Sequence, residues 1–194
     1  MNMSETNRAH LYRFLSSTFA YPNEGFISLL RKNLEQVTAS ESPSGFKFSQ
    51  VIVLFEKEPL QKLQAEYTRL FITGYPRTPC PPYESVYREK QLLGKSNQEV
   101  QTIYREWGMS VDARLADHLA TEFEFLAFLC SAAALAEISD KAKKAERSFT
   151  GDHLQKWAPQ FATDLKVHAE IDGYRVLGEF IGEFMEEISN PRKN

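Results

Sequence analysis

Cysteine is almost absent. The 194 residues hold two, Cys80 and Cys130, and no Cys-x-x-Cys. This excludes a disulfide-stapled secreted scaffold and fits a reducing compartment. Histidine is scarce as well, with His10, His118, His153 and His168 making up the set. Structural zinc needs closely spaced thiolate and imidazole ligands, and a di-iron bundle needs Glu three residues before His. Neither spacing occurs. His118 and Glu122 lie one helical turn apart and form the one pair able to share a metal. A small helical metal- or nucleotide-dependent enzyme built on His118, Glu122 and Glu66 is therefore the rival reading of a different class.

Other absences remove further classes. There is no Gly-x-Ser-x-Gly, and neither cysteine has a histidine beside it, so nucleophilic catalysis has no anchor. Gly94-Lys95-Ser96 resembles the end of a phosphate loop, but the glycine required five residues earlier is Glu89 and no strand precedes it. Neither sign of charge dominates. Lys and Arg number 23 against 26 Asp and Glu, a net charge of −3, which argues against nucleic-acid binding. The longest apolar run, Phe123 to Ala136, is broken by Glu124 and Ser131 and is too short for a bilayer. Met1 to Arg8 carries no apolar signal core. These features predict a soluble, cytoplasmic protein with no stable membrane insertion.

What is present is helical periodicity. Hydrophobic residues make up 42% and charged residues 25% of the chain, enough for a full core without staples. Ser4 can cap a first helix with Leu11, Phe14, Leu15 and Phe19 on one face. Asn23 can cap a second, with Phe26, Leu29, Leu30, Leu34 and Val37. Thr38 to Gly45 reads as a loop. Phe48 to Phe55 reads as helix, and Pro59 suits the first turn of the next, whose stripe is Leu60, Leu63, Tyr67, Leu70 and Phe71. Ser96 and Glu99 form the pattern of a capping box, and Gly108 is placed to stop that helix. Asp117 caps the most apolar helix, expected to reach about Glu137. Lys141 to Glu146 is a solvated face. Asp152 caps a further helix interrupted at Pro159, and the last carries Tyr174, Leu177, Phe180, Ile181 and Phe184. No strand alternation or internal repeat appears. The expectation is an all-α fold of roughly eight or nine helices, one compact domain over residues 1–194.

The segment that breaks the pattern is Pro79-Cys80-Pro81-Pro82-Tyr83-Glu84-Ser85-Val86-Tyr87. Proline fixes φ and lacks an N–H, so no helix runs through it. Two aromatic rings, a carboxylate and a hydroxyl follow at once. It is either a rigid brace between helices or the wall of a site.

Three ordered blocks resemble the TorD/DmsD/NarJ-like family of cytoplasmic chaperones that mature molybdenum-cofactor redox enzymes. They are Glu66-Tyr67-Thr68-Arg69-Leu70-Phe71, then Pro82-Tyr83-Glu84-Ser85-Val86-Tyr87, then Asp117-His118-Leu119 with Glu122. His153-Leu154, Trp157, Pro159 and Phe161 form a weaker fourth. The family's proline two residues before the Asp is Leu115 here, and the acidic residue before that is Arg114. The resemblance implies a non-enzymatic, TorD-like helical chaperone without a cofactor of its own. Its partner would be the catalytic subunit of a molybdenum-cofactor oxidoreductase, recognised by an N-terminal twin-arginine-type signal and held until assembly is complete. A NarJ-like role on a non-exported subunit is the alternative within the family. Signal-peptide-binding residues carried over by the resemblance are Tyr67, Leu70, Phe71, Pro82, Tyr83, Asp117 and His118. Asp117, Glu122 and Glu84 are candidate acceptors for the arginine pair. A monomer or a domain-swapped dimer is expected.

Overall fold

The structure is a computed structural model that describes residues 4–37 and 45–189. The serine-rich connector expected after Val37 lies almost wholly outside the described residues. Ten α-helical segments follow one another: α1 (Glu5–Thr18), α2 (Phe26–Glu35), α3 (Gly45–Glu56), α4 (Leu60–Tyr67), α5 (Glu84–Glu89), α6 (Lys95–Glu106), α7 (Leu119–Ala132), α8 (Ser139–Phe149), α9 (Gln155–His168) and α10 (Asp172–Ser189). A π turn at Thr150–Leu154 joins α8 to α9 without a break, so the described residues form nine continuous helical rods. The fold is all-α, as expected, and the one β-type contact among the described residues is an isolated antiparallel bridge between Tyr83 and His118.

The apolar stripes read from the sequence build the core. α1 packs along α7, α9 packs along α10, and α3 closes against α10. Phe14, Leu15, Phe48, Phe55, Phe123, Leu126, Trp157, Phe161, Tyr174 and Phe180 are all fully buried in one cluster. Each contributes about 1.5–3 kcal/mol by leaving water. Edge-to-face ring pairs add direction, with Phe48–Phe180 centroids at 4.4 Å and Phe55–Tyr174 at 4.7 Å. Two glycines permit close approach. A Cβ at Gly173 would sit 2.5 Å from the Phe55 ring, and one at Gly178 would sit 2.9 Å from both the Ala162 carbonyl and the Lys166 nitrogen.

Helix starts depart from the sequence reading in instructive ways. Ser4 caps α1 as expected, its Oγ accepting the Asn7 N–H. Asn23 does not cap α2 directly. Its Oδ1 accepts the Gly25 N–H at 2.9 Å and builds the turn before the helix, and Leu29 faces outward. The Ser96–Glu99 box does not form. α6 begins at Lys95, and the Ser96 N–H is taken at 3.0 Å by the carboxylate of Glu89, from the preceding helix. Asp152 sits inside the π turn and caps nothing. α7 stops at Ala132, short of Glu137. The helix expected after Pro59 ends in a second π turn, Thr68–Ile72. α5 has no counterpart in the sequence reading, where it was part of the proline loop.

Candidate functional site

The proline loop and the start of α7 lie side by side. Backbone bonds fasten them: Glu84 N–H to the Asp117 carbonyl at 3.0 Å, and Leu119 N–H to the Pro82 carbonyl at 2.9 Å. Proline explains this geometry. With φ fixed, Pro82 centres a tight turn in which the Tyr83 N–H bonds the Pro81 carbonyl at 2.9 Å, and the Pro82 carbonyl is left to accept across the gap. The Tyr83 and His118 rings then meet edge to face, 5.0 Å between centroids.

Asp117 occupies the centre of this crossing. It was expected to cap α7, and it does not. His118 is the N-cap residue, its Nδ1 accepting the Ala120 N–H at 3.1 Å. Asp117 turns the other way. Its Oδ2 accepts the Ser85 N–H at 2.8 Å, in the first turn of α5, and its Oδ1 accepts the Asn97 side-chain amide at 2.6 Å. The same amide group donates to the Ala113 carbonyl at 3.0 Å. One buried carboxylate thus ties α5, α6 and the entry to α7 together. Sequence spacing favours the nearest helix for a capping aspartate, whereas the chain path makes α5 the helix within reach.

The protonation of His118 follows from its contacts. An Nδ1 that accepts a backbone N–H carries no proton. Burial pushes the imidazole down to about 4, with the Asp117 carboxylate acting weakly in the opposite sense. His118 is therefore neutral here, with its proton on Nε2.

Tyr67, Leu70 and Phe71 sit at the end of α4 and in its π turn, all buried. The Cys80 N–H bonds to the Leu70 carbonyl at 2.9 Å, so the proline loop springs directly from this turn. The Tyr67 hydroxyl donates to the Phe19 carbonyl at 2.8 Å, and its ring meets the half-exposed Tyr21. Burial pushes the Tyr67 phenol up to about 12, with Tyr83 near enough to add to the effect. Of the seven residues singled out by resemblance, Tyr83 and His118 are the two that reach solvent beyond a marginal degree; Tyr67, Leu70, Phe71, Pro82 and Asp117 are buried. Leu115, whose carbonyl accepts the His118 N–H at 3.1 Å, is an exposed apolar neighbour of the crossing.

The three carboxylates considered as arginine acceptors are all closed off. Asp117 is 1% exposed, and Glu84 and Glu122 are 0%. Glu84 binds Arg88 at 2.5 Å and the Nδ1 of His153 at 3.0 Å. Glu122 accepts from the Trp157 indole at 3.2 Å. Burial, reinforced by the neighbouring Glu84 charge, holds the Glu122 carboxyl far above the usual range and hence protonated. A guanidinium reaches none of them without opening the junction. Of the residues the structure adds to the site, Ser85 stood in the second sequence block and His153 in the weak fourth, while Asn97 carried no functional signal. Among the described residues no His, Cys, Asp and Glu group has the geometry of a metal site.

The fold and this braced crossing define an all-helical protein with a junction of α5, α6 and the entry to α7 at its surface. A family model described as nitrate reductase delta subunit matches residues 42–163, more than half of the chain, and the chain belongs to that family. Among its relatives is the chaperone protein TorD of Vibrio cholerae, 36% identical over 52% of this chain and 49% of that protein. The chain thus spans about half the length of the TorD relatives it matches. The selenate reductase assembly chaperone of Thauera selenatis is 31% identical over 65% of this chain and 68% of its own length. The chlorate reductase assembly chaperone of Ideonella dechloratans is 32% identical over the same shares. These relatives are named as chaperones, not as enzymes. A crystal structure described as a redox enzyme maturation protein of Archaeoglobus fulgidus shares the fold, with a TM-score of 0.64, covering 92% of this chain and 93% of that one at 24% identity. No helix among the described residues is long and apolar enough to cross a membrane.

Proposed function

We propose that the chain is an assembly chaperone for the catalytic subunit of a molybdenum-cofactor reductase, and that it holds an N-terminal, twin-arginine-type segment of that subunit at the Tyr83–His118 crossing. The chaperone role is supported by the relatives named as reductase assembly chaperones. The observation that carries the placement is the crossing itself. A buried carboxylate and two backbone bonds fix the backbone there, while an aromatic ring and a neutral imidazole remain open above it. Fixed backbone under accessible rings gives contact area at low entropic cost, which suits an extended or helical apolar peptide.

In this reading the seven residues divide their roles. Tyr83 and His118 touch the peptide. Asp117 and Pro82 position them. Tyr67, Leu70 and Phe71 form the packed base from which the proline loop rises. The arginine pair meets exposed carboxylates or carbonyls at the rim, because Asp117, Glu84 and Glu122 are engaged internally. A non-exported reductase subunit as client is the second reading.

Calorimetry with the N-terminal segment of the reductase subunit co-purified from the native host tests the proposal. Saturable binding that is weakened by Tyr83→Ala supports it. Binding that is unchanged by both Tyr83→Ala and His118→Gln places the segment elsewhere. Replacing the arginine pair of the segment by glutamine separates the two client readings.

A further inference from the structure

A second feature lies away from the crossing. An open surface cavity of about 720 Å³ lies between α5, α6, the π turn at Thr150–Leu154 and the start of α9. None of the seven residues proposed to hold a peptide lines it. The volume falls within the range of small-molecule sites.

The cavity has a buried polar floor. His153 lines it and is 5% exposed. Its ring stacks on Phe149 with centroids 5.0 Å apart, and its Nδ1 is held by the fully buried Glu84 carboxylate at 3.0 Å. Nε2 has no hydrogen-bond partner among the described residues, and the ring borders the cavity. Glu84 also anchors Arg88, which uses only Nη1 for that contact and for the Asp152 carbonyl at 3.5 Å. The rest of the guanidinium fork is free to donate. A single buried carboxylate therefore fixes the ring and the fork that both border the cavity. This is the usual way a site holds its donors in place before a ligand arrives.

The hydrogen-bond donors around this floor suit an anion. Arg88 is matched by Glu84 and Lys95 by Glu99 at 3.1 Å, while Asp152 also borders the cavity. Lys156 borders it and makes no ion pair among the described residues, so it is the cation left to meet a ligand. A phosphate suits the floor in either protonation state. A protonated Nε2 donates to its oxygen, and an unprotonated one accepts from its hydroxyl. The planar Arg fork matches the same group. A metal ion does not fit, because no suitable ligand set is present among the described residues.

We infer that this cavity binds a phosphate-bearing small molecule, its phosphate held by His153 Nε2, the free side of the Arg88 fork and Lys156. Gln98, Thr102 and Ile103 line the remaining wall and face the rest of the ligand. The inference is independent of where a client peptide binds.

Calorimetry on the full chain tests it with inorganic pyrophosphate, adenosine monophosphate and adenosine as probes. One-to-one binding of at least one phosphate probe, with adenosine silent, is the expected result. Lys156→Gln should weaken that binding about tenfold, the low end for a charge-assisted hydrogen bond. Lys156 is exposed, so its variant retains the melting temperature of the parent. His153→Gln should weaken binding by a similar factor; its melting curve separates lost binding from lost fold. Absence of saturation by both phosphate probes overturns the inference. So does a Lys156→Gln variant of parental affinity, or displacement of the phosphate probe by a glutamate-rich peptide at lower concentration than by pyrophosphate.

Discussion

Asp117→Ala is the sharpest test of how the crossing is held. In the wild type the carboxylate accepts the Ser85 N–H at 2.8 Å and the Asn97 amide at 2.6 Å, and all three residues are buried. Alanine removes both acceptors and leaves two donors out of reach of water. A hydrogen bond to a charged group contributes about 1.5–3 kcal/mol, so the gross loss is about 3–6 kcal/mol. Relief from burying the carboxylate offsets part of it. The net expectation is about 3 kcal/mol, or a fall in Tm of about 6–12 °C for a chain of this size. An ordinary helix cap would cost about 1 kcal/mol. Urea denaturation of the single variants Asp117→Ala and Asn97→Ala and of the double variant decides between them. Residues in direct contact should couple by about 0.5–3 kcal/mol. A loss near 1 kcal/mol with additive single effects would show that Asp117 acts only as a local cap and that α5, α6 and α7 are not tied through it.

Four further outcomes are expected. Tyr83→Ala should weaken client-peptide affinity by about 1–2 kcal/mol while leaving Tm nearly unchanged, because its backbone, not its ring, carries the bridge to His118; calorimetry and a melting curve read both. His118 binds its proton only near pH 4 when folded but near 6.5 when unfolded. Its contribution to stability is therefore complete above about pH 6.5 and declines as pH falls toward 4, by about 1–2 kcal/mol after allowing for its contact with solvent. Glu122, protonated in the fold, works in the opposite sense and loses stability as pH rises above the usual carboxylate range, so the difference between the wild-type and His118→Gln pH profiles isolates the histidine. Gly178→Ala should cost about 1–3 kcal/mol through overlap with two backbone atoms, and denaturant midpoints measure it. Gly182→Ala, whose Cβ would have its nearest neighbour at 3.8 Å, should be neutral or stabilising by up to about 1 kcal/mol from helix propensity.

The core was legible because burial is periodic. Leu11, Phe14 and Leu15, or Leu177, Phe180, Ile181 and Phe184, repeat at the interval of a helix and are buried as that interval requires. The exceptions are informative. Leu29 belongs to the same predicted face as Leu30 and still faces solvent at 41%, although α2 packs against both α1 and α3. Caps were harder to read. A capping side chain needs a near partner, and sequence offers only the nearest along the chain. Glu89 caps α6 from across a turn, and Asp117 caps α5 from 32 residues away. Both follow from the chain path, which local spacing does not encode.

The same limit explains the site. Blocks around Tyr67, Tyr83 and Asp117 could be recognised, but their exposure could not. Three carboxylates near the crossing look in sequence like acceptors for a cationic peptide. In the fold they are spent on internal donors: Asp117 on Ser85 and Asn97, Glu84 on Arg88 and His153, Glu122 on Trp157. A buried carboxyl group is tolerated when it is hydrogen-bonded or neutralised: Asp117 and Glu84 are held by internal donors, and Glu122, with Oε1 unpartnered, is protonated. The consequence for recognition is specific. If the crossing holds a client segment, apolar and ring contacts at Tyr83 and His118 set the affinity, and charge acts at the rim. Binding should then depend only weakly on ionic strength, since rim charges in water are screened while ring contacts are not. Peptide titrations at low and at high salt read this directly. A steep fall in affinity with salt would mean that exposed rim charges, which salt screens, carry the affinity instead of the ring contacts.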